Sequence, residues 1–199
     1  MAMQKGENTN RPAKGSVIIV DPIKDLEVVK MVRDHLRPNI QQWCIYVVGT
    51  NTNLRAVDLA NIEAKDVAYI SKGQVLKIRE QKTKKYREVV FNKSCISAIR
   101  KLLKERGNEE GHLFQNRDGG QISTQYINQF MKRACKEVGL QGNYGSHTLR
   151  KTWGYHQYRQ YNAKITDLVW CFNHKTEQQT MDYLGLSIEE MGKLFMNEI

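Results

Sequence analysis

The apolar positions of this chain follow two rhythms. Leu26, Val29 and Val32 recur at helical spacing after Asp21-Pro22, a capping residue followed by a proline suited to a first helical position. That pattern predicts a helix to about Leu36, stopped by Pro38. A second, more apolar helix is expected over Gln41 to Val48, ending at Gly49. From Val67 the rhythm becomes short alternating runs. Val67–Ile70, Val75–Arg79 and Arg87–Phe91 read as three strands, joined by turns at Ser71–Gln74 and Gln81–Tyr86.

Helical spacing then returns. Cys95, Ile99, Leu102 and Leu103 mark a helix from Lys93 to Arg106, and Gly111–Phe114 is a brief extended piece. Ser123 or Thr124 caps a helix through Val138, and Ser146 is expected to cap another to about Tyr161. Ile165–Phe172 forms the next. Thr176–Gln179 fits a capping box that restarts a helix after His174, with Gly185 as its stop. Ser187–Glu190 is a second such box, opening a final helix over 188–199 with the apolar stripe Ile188, Met191, Leu194 and Phe195. The fold class is therefore α+β, mainly α: a helical domain over 17–199 carrying a small three-stranded antiparallel sheet. Residues 1–16 are polar and rich in Gly, Pro and Asn, and are expected to be disordered or extraneous to the fold.

Charge narrows the partner. There are 31 Lys and Arg against 21 Asp and Glu, a formal net charge of +10, which favours a polyanion and most simply nucleic acid. No apolar run reaches membrane-spanning length and no signal peptide is present, so no membrane role is expected. Cys44, Cys95, Cys135 and Cys171 lack C-x-x-C spacing, and read as reduced core residues of an intracellular protein rather than a disulfide framework or zinc site.

The chemistry gathers around Ser146–Trp153. His147 and Arg150 lie three residues apart on one helical face, so a proton-transfer group and a fixed cation can reach one ligand. A helix start also draws anions through its free N–H groups, which suggests a phosphate site. In chain order the further candidates are Arg55, Lys82, His174 and Tyr183.

That order resembles the catalytic domain of the tyrosine recombinases, the phage-integrase family. Leu54–Leu59 is similar to the family's first box, an arginine followed by an acid and a leucine. Lys82 sits in a turn between strands, where the family carries its lysine, and His147–Arg150 matches its H-x-x-R box. Phe172-Asn173-His174 stands where Leu-Gly-His is usual, and Tyr183 follows nine residues later. Each box is short. All of them in order, spread from Asp21 to Ile199, carry the resemblance.

The resemblance implies a DNA strand transferase with no cofactor and no metal. Tyr183 would be the nucleophile, forming a 3′-phosphotyrosyl intermediate. Arg55 and Arg150 would clamp the non-bridging oxygens. Lys82 would protonate the leaving 5′ oxygen, His147 would assist proton transfer or hold the phosphate, and His174 would bond a phosphate oxygen. Lys84, Lys85 and Lys151 are further candidates for DNA binding. Double-stranded DNA, self-association into a tetrameric synapse and a cytoplasmic, nucleoid-associated setting in a bacterium or phage-infected host are likewise implied. So is docking of the 187–199 helix into a neighbouring protomer, its alternative being packing on its own domain.

Two departures from the family stand out. Asn173 replaces the usual glycine, and only about twenty residues precede the catalytic domain, where the family normally has an N-terminal DNA-clamping domain. Modest, steeply salt-dependent DNA affinity is the expectation. The alternatives are a non-catalytic DNA-binding regulator on the same fold and a type IB topoisomerase-like enzyme. A regulator has no need of a tyrosine at this spacing.

Overall fold

The computed structural model describes residues 20–82, 84–186 and 196. The leader over 1–16 and the final capping box lie outside the described residues, as does the last helix apart from Met196.

Helix α1 runs from Leu26 to His35 and is capped by Asp25, whose side chain accepts the Glu27 N–H. The expected start at Asp21-Pro22 is corrected. Those residues lie outside the helix, and the polar groups of Asp21 are committed elsewhere. Asp21 pairs with Asn143 in both directions, N–H to carbonyl at 2.7 Å and carboxylate to N–H at 2.9 Å. Helix α2 (Ile40–Asn51) is capped by Asn39 and does not stop at Gly49. A Cβ on Gly49 would lie 2.7 Å from Leu149 Cδ1, so this glycine marks a close helix crossing rather than a helix end.

Two short helices, α3 (Ala56–Ala60) and α4 (Ala64–Val67), follow. The strand expected at Val67–Ile70 is corrected, because α4 and a turn occupy it. Ala68 N–H bonds the Ala64 carbonyl at 2.9 Å, and Val67, Ala68 and Ile70 are all buried, a pattern without two-residue alternation. The sheet therefore has two strands, β1 (Val75–Arg79) and β2 (Tyr86–Val90), antiparallel with Leu76 opposite Val89 and Ile78 opposite Arg87. Leu76, Ile78 and Val89 turn toward the protein, while Val75, Lys77, Tyr86 and Val90 face outward. The fold is otherwise the mainly helical one the sequence predicts.

The remaining helices are α5 (Lys93–Arg106), α6 (Thr124–Glu137), α7 (Ser146–Arg159), α8 (Ile165–Phe172) and α9 (Glu177–Leu184). Ser146 opens α7 but does not cap it. Gly145 takes the cap position, and its N–H bonds the Thr148 hydroxyl at 3.0 Å. The same hydroxyl donates to the Asp21 carbonyl at 2.9 Å, and the Thr152 hydroxyl accepts the Ile23 N–H at 2.9 Å. The entering chain is thus stitched along α7.

Helix α2 is buried on nearly every side and packs on α5 and α7, forming the centre of the main core. A smaller apolar cluster of Leu168, Phe172 and Leu184 seats α8 and α9 on α7. That seating needs Gly154. A Cβ there would lie 2.8 Å from Leu184 Cδ2 and closer still to Phe172 Cζ.

Candidate active site

Four segments converge at the N-terminal half of α7. Arg55 is the cap residue of α3, in extended conformation, and its guanidinium pairs with the Glu80 carboxylate. Asp58, buried one turn further along α3, accepts the Gln81 N–H at 2.8 Å instead of serving as the partner of Arg55. The acid of the first box thereby anchors the β1–β2 turn, which carries Lys82. Lys82 is exposed and forms no hydrogen bond or ion pair among the described residues.

Arg150 lies on the inner side of α7 at 4% exposure. Its Nη2 donates to the Phe172 carbonyl at 3.1 Å, one of the open carbonyls at the end of α8, where a cation is favoured. The guanidinium also lies over the Phe172 ring, 5.0 Å from its centre, and its Nε has no hydrogen-bond partner among the described residues. Burial lowers its pKa to about 10, so it remains a cation at neutral pH.

Asn173 ends α8 with φ 55° and ψ 46°, the left-handed conformation that glycine takes freely and asparagine tolerates. The departure from glycine therefore preserves the turn, and His174 follows it directly. Its Nδ1 pairs with the buried Thr180 hydroxyl at 2.9 Å, and its ring stacks on Phe172 with centres 5.2 Å apart. Thr180 is one helical turn before Tyr183 on α9, so the bond fixes the imidazole against the helix that carries the phenol. The His174 and Tyr183 rings meet edge to face at 5.1 Å, and Phe172 contacts Tyr183 at the same distance.

The electrostatics tie the candidates together. Burial raises the Tyr183 pKa, while the charges of Arg150 and Arg55 pull it back down. His147 is exposed at the start of α7. Desolvation, then the charges of Arg150, Lys151, Lys82 and Arg55, lowers its pKa from 6.5, leaving a neutral imidazole at pH 7. Desolvation, then Arg150 and Arg55, does the same to His174. Arg55, Lys82, His147, Arg150, His174 and Tyr183 thus form one electrostatic neighbourhood, suited to binding a phosphodiester and moving a proton.

The other lysines separate. Lys84 and Lys85 are exposed at the hairpin, where Lys84 takes a left-handed backbone with φ 60°. Lys151 is buried instead, with its ammonium 4.8 Å from the centre of the Tyr183 ring. Glu80 and Arg87 were not legible as site residues from motif spacing. The signal was the strand alternation: Leu76, Ile78 and Glu80 share the inward face, and a buried acid there calls for a cation. No group of three or more His, Cys, Asp or Glu residues is placed to hold a metal ion among the described residues.

The mainly helical domain is the fold of a tyrosine recombinase catalytic domain. Residues 23–190 match the phage integrase family, and the chain belongs to it. It is 33% identical over 170 residues to a probable integrase/recombinase, YoeC, of Bacillus subtilis strain 168, covering 84% of this chain and 91% of that protein. It is 27% identical to the tyrosine recombinase XerC of Caldanaerobacter subterraneus, covering 85% of this chain but only 53% of that one. Among solved structures, XerA recombinase shares the fold with a TM-score of 0.74 at 19% identity, over 95% of this chain and 68% of that chain. XerH site-specific recombinase bound to palindromic difH substrate superposes with a TM-score of 0.70 at 17% identity, over 87% of this chain and 52% of that chain.

Proposed function

We propose that this integrase-family recombinase cuts and rejoins DNA at a specific site through a phosphotyrosyl intermediate. The observation that carries the reading is the packing of α9 on α7, which sets Tyr183 beside His174 and within the field of Arg150 and Arg55. The Tyr183 Oη attacks the scissile phosphorus, the new O–P bond forms as the P–O5′ bond breaks, and the 3′ end stays on the protein. The phenolic proton passes to His147, which is neutral and can accept it. Lys82 gives a proton to the departing 5′ oxygen. Arg55 and Arg150 hold the non-bridging oxygens, and His174 bonds one of them through its remaining ring nitrogen. Because the phosphodiester energy is kept in the tyrosyl ester, the 5′ hydroxyl of a second strand can reverse the step and complete exchange.

DNA binding follows from the net charge of +10 and from the exposed hairpin lysines. Exchange needs two duplexes, so a tetramer on DNA is the working assembly. The apolar stripe of 188–195 is its candidate link between protomers, and deleting 187–199 should then abolish synapsis while leaving the fold intact. The reading is tested with nicked duplexes from which the cleaved end diffuses away. A covalent protein–DNA band should form with the native chain and vanish in Tyr183→Phe. A band that persists in that variant would refute the assignment.

A further inference from the structure

We propose that Glu80 is a positioning residue that locks the Lys82 hairpin onto Arg55, so that the phosphate clamp and the leaving-group acid are set as one unit. The inference rests on the roles given to Arg55 and Lys82 above. Glu80 continues the inward face of β1 and is 5% exposed. Its Oε1 meets Nη1 of Arg55 and lies 3.5 Å from Nη1 of Arg87, opposite Ile78 on β2. One carboxylate therefore joins α3, the end of β1 and the start of β2.

A carboxylate this buried is costly unless it is paired, and here two guanidiniums share it. Arg55, Arg87 and the neighbouring Arg150 stand against the carboxylates of Glu80 and Asp58, so the cluster is net positive and Arg55 keeps an attraction for phosphate while its position is fixed. The next residue reinforces the tie, since the Gln81 N–H bonds Asp58 on α3 at 2.8 Å. Lys82 follows at once. A lysine on an exposed turn has many rotamers and a mobile backbone beneath it, and these two bonds hold that backbone at a fixed offset from Arg55. The opposite role, an anionic plug standing in for phosphate until DNA displaces it, fits poorly. Glu80 is beneath the surface and also belongs to Arg87, so it is part of the scaffold.

The test compares Glu80→Gln with the native chain on two nicked duplexes, one with the ordinary 5′ oxygen at the scissile bond and one with sulfur there. A thiolate leaves without a proton, so the sulfur substrate bypasses Lys82. On oxygen, Glu80→Gln should slow adduct formation about tenfold or more, and on sulfur the loss should shrink to the part that comes through Arg55. Glu80→Asp keeps the charge on a shorter stem and should show the same sulfur rescue at smaller amplitude, which covers the case of a misfolded Gln variant. Equal losses on both substrates, no loss, or faster cleavage by Glu80→Gln would overturn the inference while leaving the recombinase reading intact. A native chain that forms no adduct on either substrate would overturn both.

Discussion

The Lys151 ammonium stands 4.8 Å from the centre of the Tyr183 ring, although a lysine following the H-x-x-R box reads from sequence as a DNA contact. At 6% exposure it cannot lie on a phosphate backbone as it stands. It instead lies over the face of the same aromatic ring that packs against His174. A cation over an aromatic face in a desolvated site contributes about 0.5–2 kcal/mol. Lys151→Met should therefore slow adduct formation by about 2- to 30-fold. It should leave the salt dependence of DNA binding unchanged. A salt slope lower by about one phosphate contact would mark Lys151 as a backbone-gripping residue after all.

Gly154 is where α7 lets α8 and α9 approach, and any Cβ there meets Phe172 and Leu184. Gly154→Ala should cost about 1–3 kcal/mol in urea unfolding through overpacking. Because the displaced helices carry His174 and Tyr183, cleavage should fall more than the loss of folded protein explains. Normal cleavage from a fully folded Gly154→Ala chain would show that this contact does not set the tyrosine.

Asn173 holds the left-handed turn between α8 and His174. Asn173→Gly should keep stability and cleavage close to those of the native chain. Asn173→Val, branched at Cβ and forced to positive φ, should lose about 1–2 kcal/mol and displace His174. Equal thermal midpoints for the two variants would contradict this account of the turn.

Three histidines share a direction of pKa shift. Desolvation comes first for His147, His156 and His174 alike, and it lowers each from 6.5. Below pH 6.5 the unfolded chain takes up these protons before the folded one does. Stability should therefore fall as pH drops through that value, with no such loss above it. NMR titration of the His147 ring should give a midpoint below 6.5, and Lys82→Met should raise it by removing a neighbouring cation. A His147 midpoint unmoved by that change would separate Lys82 from the site.

The sequence made the order of the boxes readable because each is a short local pattern on one element, and helices α5, α6, α8 and α9 follow from apolar spacing and caps. What it hid was set by tertiary contact. Asp21 looked like a helix cap, but its hydrogen bonds are taken by Asn143, and Gly49 looked like a stop where it is a crossing point. Val67–Ile70 has strand-forming residues yet satisfies its backbone locally after Ala64. Glu80 was hidden for a different reason: motif spacing identifies residues that meet a ligand, whereas Glu80 meets Arg55 and Arg87. Only the strand alternation shows that it points inward.

The central claim is that Tyr183 becomes bonded to DNA. The most direct measurement is to trap the adduct on a nicked duplex, digest it with protease and nuclease, and identify the nucleotide-bearing peptide by mass spectrometry. The account predicts a phosphodeoxynucleotide on Tyr183. A modification on Tyr155, Tyr158 or Tyr161 of the α7 region would contradict it.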